Sequence, residues 1–400
     1  RCGEMNLKGS LYLGSAYLRR QRAKTLLLVG ALSVALLLPS AITVLVREAE
    51  SHLRSRADRT PLLLGARGSA LELVFNGLYF SKPEIAALTK AQADEAGRDD
   101  LATVIPIYAR FSAKGWRVVG TSVDYFKFRQ LRVGKGHLMG RLGDCVIGSV
   151  VAEELGLSVG DSLVSSPEAV FDLAGVYPLK MRITGILAPS GTPDDRAVFA
   201  DVKTAWIIEG LAHGHEDARK VDQSQVLGQS DDGGDVKLNA SIVEYNEITD
   251  ENIGGFHFHG DPGTFPLSAA IVVPRDDKAR TILRGRYQDA ERLGVQLIEP
   301  PKVMDDLFRT VFQVQRLVTA ALILVGVAAL AIALLVFLLS NRLRAREFSS
   351  LRQIGADPAT IRLLVAFEGA FVVIASLLTA SVVVIALKAA APFLVRMLTG

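Results

Sequence analysis

The stretch Asn341–Leu364 reads NRLRAREFSSLRQIGADPATIRLL, and it separates two apolar runs. The run before it, Leu317–Ser340 (LVTAALILVGVAALAIALLVFLLS), has no ionisable residue. The run after it, Leu363–Leu387 (LLVAFEGAFVVIASLLTASVVVIAL), has one, Glu368. A helix rises 1.5 Å per residue, so about 20 apolar residues cross the hydrocarbon core of a bilayer. Both runs qualify, and so does a third, Thr25–Val46 (TLLLVGALSVALLLPSAITVLV). That one is too long for the apolar core of a signal peptide. Its Pro39 is tolerable in a spanning helix, where neighbours re-satisfy the freed carbonyl.

Composition agrees with a membrane protein. Half of the 400 residues are hydrophobic, which is high for a soluble domain. The net charge is only +3, so nucleic acid finds no overall electrostatic attraction. The two cysteines, Cys2 and Cys145, cannot build a disulfide framework or a cysteine zinc site. Cys145 reads as a small core residue.

Basic residues near the span ends set orientation. Lys8, Arg19, Arg20, Arg22 and Lys24 precede the first span, and Arg342, Arg344, Arg346, Arg352 and Arg362 fill the short loop between the second and third. Arg47, Arg54, Arg56 and Arg59 follow the first span and dilute its signal. The short loop is the better witness, because long loops cross almost regardless of charge. The chain therefore divides into a cytoplasmic N-terminal segment (1–24), a first span (25–46), an extracytoplasmic domain (47–316), a second span (317–340), a cytoplasmic loop (341–362), a third span (363–387) and an external tail (388–400). The tail is too short and too interrupted by Lys388, Pro392 and Arg396 to cross again, and we expect a fourth helix beyond it.

The large insert mixes strand and helix signals, which predicts an α+β domain. Arg117–Phe126 reads as a strand and turn. Gly148–Val164 reads as a helix stopped at Gly156, a turn at Val159-Gly160-Asp161 and a strand. Lys180–Pro189 alternates like a half-buried strand, Gly191–Asp201 is a turn entering a strand, and VKTAWIIEGL after it looks helical. Near the end, SAAIVVP, DDKARTILRGRYQDAERLG and VQLIEP form a strand, an amphipathic helix and a strand. Gly228–Ser241 is polar and glycine-rich and reads as a surface loop. The apolar segment Thr60–Phe80 is either ordinary core or a membrane-proximal surface for a partner.

Signals for chemistry are sparse. No G-x-x-x-x-G-K-[ST] occurs, and RVGKGH (Arg132–His137) has the wrong spacing for phosphate binding. No nucleophile elbow, H-E-x-x-H or EF-hand loop occurs either. The reading is of a chain without catalytic residues or a cofactor of its own. Four of the six histidines fall in two H-x-H pairs, His213 with His215 and His257 with His259. On a strand such a pair shares one face and could offer two imidazoles to one metal ion. Polar loop histidines account for the same pattern, and both readings stand. Glu368 is costly in lipid, so it must face another helix or the headgroups, in a structural or a coupling role.

The order of span, large external domain, span, short basic loop and span resembles the MacB/FtsX-type permease family of ABC transporters (type VII architecture). EFSSLRQIGADPATIRLLVAFEGAF resembles the family's loop motif, which Leu351, Arg352, Ile354, Gly355, Ala356 and Glu368 match. VVAEELGLSVGDSL and MRITGILAPSGTPDDRAVF resemble the MacB-like periplasmic core. The resemblance implies a membrane α-helical bundle with a large extracytoplasmic α+β domain, made of a porter-like subdomain and a smaller inserted one. It also implies a permease subunit in the bacterial inner membrane. Two copies, or this chain and a paralogue, bind two cytoplasmic ATPase subunits that hold the ATP and magnesium. ATP-driven closure then moves the external domain to export or extract a substrate, with a periplasmic adaptor as a further partner. An FtsX-like regulatory protein, relaying ATPase state without transport, is the alternative. No ATPase is fused to this chain, so the resemblance places it on a separate protein.

The opening stretch then reads in parts. Asn341–Ile354 continues the second span as a helix, with Leu343, Phe348, Leu351 and Ile354 on one face. Gly355 suits a helix end that needs positive φ, Asp357 a cap and Pro358 a first turn. The arginines set the side of the membrane and meet anionic headgroups. Leu351, Ile354, Gly355 and Asp357 are the candidates for docking on an ATPase.

Overall fold

Residues 7–81, 85–166, 178–214, 226–229, 236–238, 246–288 and 294–399 are described by a computed structural model. The chain divides into two units, Arg54–Leu307 and Arg1–Leu53 with Phe308–Gly400.

The larger unit is α+β. Its first sheet is antiparallel in the order Val295–Ile298, Leu62–Ala66, Ala269–Pro274, Ala102–Ile107. Leu62, Leu63 and Leu64 are fully buried. The helix Ala70–Tyr79 follows, capped by the Ser69 hydroxyl on the Glu72 amide. Thr60–Phe80 thus belongs largely to the core.

The second sheet is mixed. Its order is Ser112–Ala113, Trp116–Thr121, Ala197–Asp201, Asp144–Ile147, Lys180–Leu187, Val133–Gly136, and Ser162–Val164 also pairs with Lys180–Leu187. The pairs of Trp116–Thr121 with Ala197–Asp201 and of Asp144–Ile147 with Lys180–Leu187 are parallel. Such strands are covered on both faces and read as apolar runs, as Cys145, Val146 and Ile147 do, all buried after the buried Asp144. Cys145 lies there, a core residue as expected. Burial, and after it the neighbouring Asp144, pushes its thiol far up, so it stays protonated and inert.

Several sequence expectations meet this architecture directly. The helix Ser149–Leu155 ends at Gly156, where φ is 64°. Lys180–Leu187, Ala197–Asp201, Ala269–Pro274 and Val295–Ile298 are strands, and Val202–Ile208 and Asp277–Arg286 are helices. Two expectations change. After Thr121 the chain enters a helix, Val123–Arg129, rather than a turn, because Tyr125 and Phe126 bury on Phe199 at ring distances of 5.4 and 5.3 Å. The described parts of Gly228–Ser241 are Gly228–Gln229, the end of the strand Val226–Gln229, and Val236–Leu238, which pairs antiparallel with that strand, so they form a ladder and not a loop.

A buried ion pair sits beside those rings. Arg56 donates to both oxygens of Asp194 at 2.6 and 2.9 Å and to the Tyr125 hydroxyl at 2.6 Å. The Tyr125 and Thr192 hydroxyls also donate to Asp194, at 2.6 and 2.8 Å. Burial alone would raise the Asp194 carboxyl; the charge of Arg56 and these hydrogen bonds outweigh it and hold the group at about 2. A depressed carboxyl stabilises the fold above its unfolded value near 4, and that contribution is lost as pH falls toward 2. Between about pH 5 and pH 2 the thermal midpoint of the native chain should therefore fall more steeply than that of Asp194→Asn, which has nothing to titrate there. Parallel curves would show that Asp194 does not carry this acid sensitivity.

The smaller unit is helical. Leu7–Arg20 precedes Arg22–Asp58, which runs through Pro39 without a break. Pro300–Leu343, Ala345–Gln353 and Pro358–Thr399 complete it. Among the described residues, three helices are long and apolar enough to cross a membrane: Arg22–Asp58, Pro300–Leu343 and Pro358–Val395. Leu28, Leu32, Ala333 and Val372 pack at their shared seam. Ser376 donates to Val372 and Val29 carbonyls at 2.7 and 3.3 Å, and Ser33 to the Ser376 carbonyl at 3.3 Å. Small and hydroxylated residues of this kind let spanning helices approach closely. Residues 388–399 continue the last helix through Pro392.

Candidate functional site

The candidate site is the basic loop and the acid beside it. The helix from Pro300 stops at Leu343, and a new one, Ala345–Gln353, begins after Arg344. Arg344 breaks the helix with φ −87° and ψ 3°. This corrects the continuous helix Asn341–Ile354 and its single apolar face. Leu343 and Ile354 are exposed, while Phe348 and Leu351 are half-buried.

The break has a physical reason in the Arg344 side chain. One guanidinium nitrogen donates to both oxygens of Glu368, at 3.0 and 3.1 Å, and Nε donates to Glu347 at 3.3 Å. The guanidinium carbon lies 3.3 Å from the centre of the Tyr17 ring and 4.9 Å from that of Phe348. Arginine stacks on aromatic faces while donating in its plane, and here it does both. Arg344 thus joins the N-terminal helix, its own loop helix and the third long helix. Lys24 lies alongside, donating to the Ser340 hydroxyl at 2.6 Å and 5.6 Å from the Tyr17 ring. The Glu368 side chain is only 2% exposed, so it faces partners and not lipid, as its cost in hydrocarbon requires. Sequence reasoning singles out Glu368 and treats Arg344 as one of five equivalent arginines. Nothing in the spacing distinguishes it, and Tyr17 carries no signal at all.

At the far end of the loop, Gly355 ends the helix as expected. Gly355 has φ 98°. Its amide donates to Arg352 and that of Ala356 to Leu351, each at 3.0 Å. These two bonds form a Schellman motif, which ends a helix with a residue in the left-handed region. Pro358 opens the next helix, and the Asp357 carbonyl accepts its first bonds from Thr360 and Ile361, at 2.9 and 3.4 Å. The break leaves Ile354 82% exposed beside an exposed Asp357. An apolar tip next to a tight turn can seat in a complementary groove.

The histidine pairs lie in the larger unit. Ala212–Gly214 pairs antiparallel with Phe256–Phe258, and the register sets His213 directly opposite His257. The register therefore sets one backbone position of each H-x-H motif opposite the other. His215 lies outside the described residues. Among the described residues no group of three or more metal-type side chains is assembled, and the His213 side chain is not among those described.

Residues 25–244 match the model of the MacB-like periplasmic core domain, more than half of the chain. No curated protein matches the chain. Among solved structures, the periplasmic region of MacB from Actinobacillus actinomycetemcomitans is 9% identical with a TM-score of 0.35, over 62% of this chain and 92% of that one. The extracellular domain of the ABC-type transporter YknZ from Gram-positive bacteria is 11% identical with a TM-score of 0.31, over 59% and 98%.

Proposed function

This chain belongs to the MacB/FtsX-type permease family, whose MacB-like periplasmic core domain it carries, and from that membership we propose that it is the membrane subunit of an ABC transporter driven by a separate cytoplasmic ATPase. The observation that carries the proposal is the family match on a chain that also has three helices of membrane length. The chain sits in the inner membrane with residues 1–24 and 341–362 in the cytoplasm. Spans at 25–46, 317–340 and 363–387 then put 47–316 and the tail 388–400 outside. The external domain consists of a porter-like subdomain and a smaller inserted one. Two copies, or one copy and a paralogue, enclose the transport route, and an adaptor meets the external domain.

The loop is the coupling element. Leu351, Ile354, Gly355 and Asp357 form a knob that enters the ATPase, and Arg344 ties that knob to Glu368. ATPase closure pushes the knob; the ion pair transmits the push to the third span. The external domain moves in response, and a substrate already outside the cytoplasm is exported or extracted.

Two results test this reading. Purification of the chain from its native membrane in mild detergent should recover an ABC ATPase in comparable amount, and failure to recover one overturns the proposal. With that complex in hand, Gly355→Val should cut permease-stimulated ATP hydrolysis about tenfold or more while the chain still inserts. A valine at φ 98° costs ~1–2 kcal/mol in backbone strain, enough to unwind the turn. Nothing lies within 4 Å of a Cβ built there, so the loss would come from the backbone conformation and not from collision. Stimulation at the native level in Gly355→Val and in Asp357→Lys would remove the knob from the mechanism.

A further inference from the structure

One cavity of the larger unit is ringed by charges of both signs. It has a volume of about 160 Å³ and lies at the start of the parallel strands Asp144–Ile147 and Lys180–Leu187. Lys180 and Arg182 are two residues apart on a strand, so their side chains share a face, and both line the cavity. The segment 247–253 closes the opposite side. It is held there by the Lys180 amide, which donates to the Asn246 carbonyl at 2.6 Å, and by Ile248, which packs against the core. Gly143 permits that approach, since a Cβ built on it would lie 3.0 Å from the Ile248 Cβ.

The charges come in three pairs. Lys180 Nζ donates to Glu247 at 2.7 Å, Arg141 pairs with Asp250, and Arg182 donates to Asp144 through Nε and Nη2 at 3.3 and 2.9 Å. Asp144 is buried, and its other oxygen accepts from the Gly140 and Arg141 amides at 3.2 and 3.0 Å. It is fixed in the wall. The side chains of Arg141, Lys180, Arg182, Glu247 and Asp250 are each 40% exposed or more, so they exchange partners without first being stripped of water. A guanidinium carries five N–H donors, and Asp144 takes two of those on Arg182. Leu142, Ile248 and Ile253 add an aliphatic side to the same cavity.

We propose that this cavity binds a small zwitterion, an α-amino acid with an aliphatic side chain. Charge balance decides the class. Three cations and three carboxylates leave no surplus, so a lone anion or a lone cation entering the cavity leaves one charge unmatched as water is expelled. A zwitterion adds one charge of each sign. Its carboxylate meets Lys180 and Arg182, its ammonium meets Glu247 and Asp250, and every charge keeps an opposite neighbour. Charge-assisted hydrogen bonds of this kind are about twice as strong as neutral ones. The aliphatic side chain lies against Leu142, Ile248 and Ile253. Size sets the limit. A cavity of roughly 150 Å³ admits benzene, whereas larger ligands occupy pockets of roughly 300 Å³ or more. The ligand is therefore a single amino acid and not a longer peptide.

The test titrates L-leucine into the full chain in detergent by calorimetry. No ATPase is present, so the outcome is separate from that of the permease reading. One equivalent should bind with submillimolar affinity. L-leucinamide lacks the carboxylate and N-acetyl-L-leucine lacks the ammonium; each should bind at least about tenfold more weakly than L-leucine. Glu247→Gln and Asp250→Asn should each weaken L-leucine by about tenfold. Glu247→Gln should at the same time bind N-acetyl-L-leucine more tightly than the native chain does, because the cavity then has a positive surplus. Damage to the fold would weaken both ligands alike. Asp277→Asn, at an exposed acid on the helix Asp277–Arg286, should change neither. The proposal is overturned if L-leucine does not bind at submillimolar concentration, or if either analogue with one charge removed binds as well as L-leucine. It is also overturned if L-leucine binding survives Glu247→Gln combined with Asp250→Asn.

Discussion

Asp194→Ala lowers the stability of the larger unit by roughly 3–5 kcal/mol, the cost of breaking a buried pair from one side. The reason is the charge that stays behind. Arg56 is buried, and its guanidinium meets Asp194 through two nitrogens. Burial, and next the charge of Arg56, already push the neighbouring Arg129 down to about 10, while Asp194 works against that. Without the carboxylate, the charges of Arg56 and Arg129 act on each other with no countercharge from Asp194. Tyr125 also loses its acceptor at 2.6 Å. For a unit of this size the change corresponds to roughly 10 °C in thermal midpoint, measurable on the full chain in detergent. Replacing both partners with apolar side chains, as in Arg56→Met with Asp194→Leu, should lie closer to the native value than Asp194→Ala alone, because no charge is then stranded. A midpoint for Asp194→Ala within a degree or two of native would mean that the pair is solvated and contributes little.

That pair also shows where the sequence falls silent. Spans are legible because an unbroken apolar run of about twenty residues fits a bilayer core and suits few sites in a soluble fold, and all three coincide with long helices. Gly156 and Gly355 are legible because a helix end in the left-handed region selects glycine, and both have positive φ. The α+β character follows from local periodicity. The partners of charged groups are a different matter. Arg56 and Asp194 are 138 residues apart, and no local rule selects one arginine among those after the first span. The two H-x-H motifs are visible as motifs, yet the pairing of position 213 with position 257 depends on the register of a three-residue ladder. The helix at Val123–Arg129 is missed because burial of Tyr125 and Phe126 on Phe199 decides it, and that contact is tertiary.

Arg344→Ala and Glu368→Ala should each abolish most of the ATPase stimulation while leaving the chain in the membrane and bound to its ATPase. Glu368 is almost wholly enclosed, and Arg344 is its hydrogen-bonded countercharge at 3.0 and 3.1 Å. Removing either strands the other where a lone charge is expensive. The loop then gains freedom at a residue that joins it to the third span and to Tyr17. Loss of one partner of a buried pair is worth roughly 3–5 kcal/mol, so the coupled rate should fall by at least about a hundredfold if the pair lies on the transmission route. A merely structural role would reduce the amount of assembled complex in proportion to activity. Transmission instead predicts normal assembly, an unchanged KM for ATP and a reduced maximal rate. Glu368→Gln, which keeps the shape and removes the charge, should fall between native and Glu368→Ala. Exchanging the two charges, Arg344→Glu with Glu368→Arg, should recover more activity than the sum of the single losses allows, since contacting residues couple in a double-mutant cycle. Native activity in Glu368→Gln would leave the pair a structural fastening, and additive losses in the exchanged pair would show that the two residues act separately.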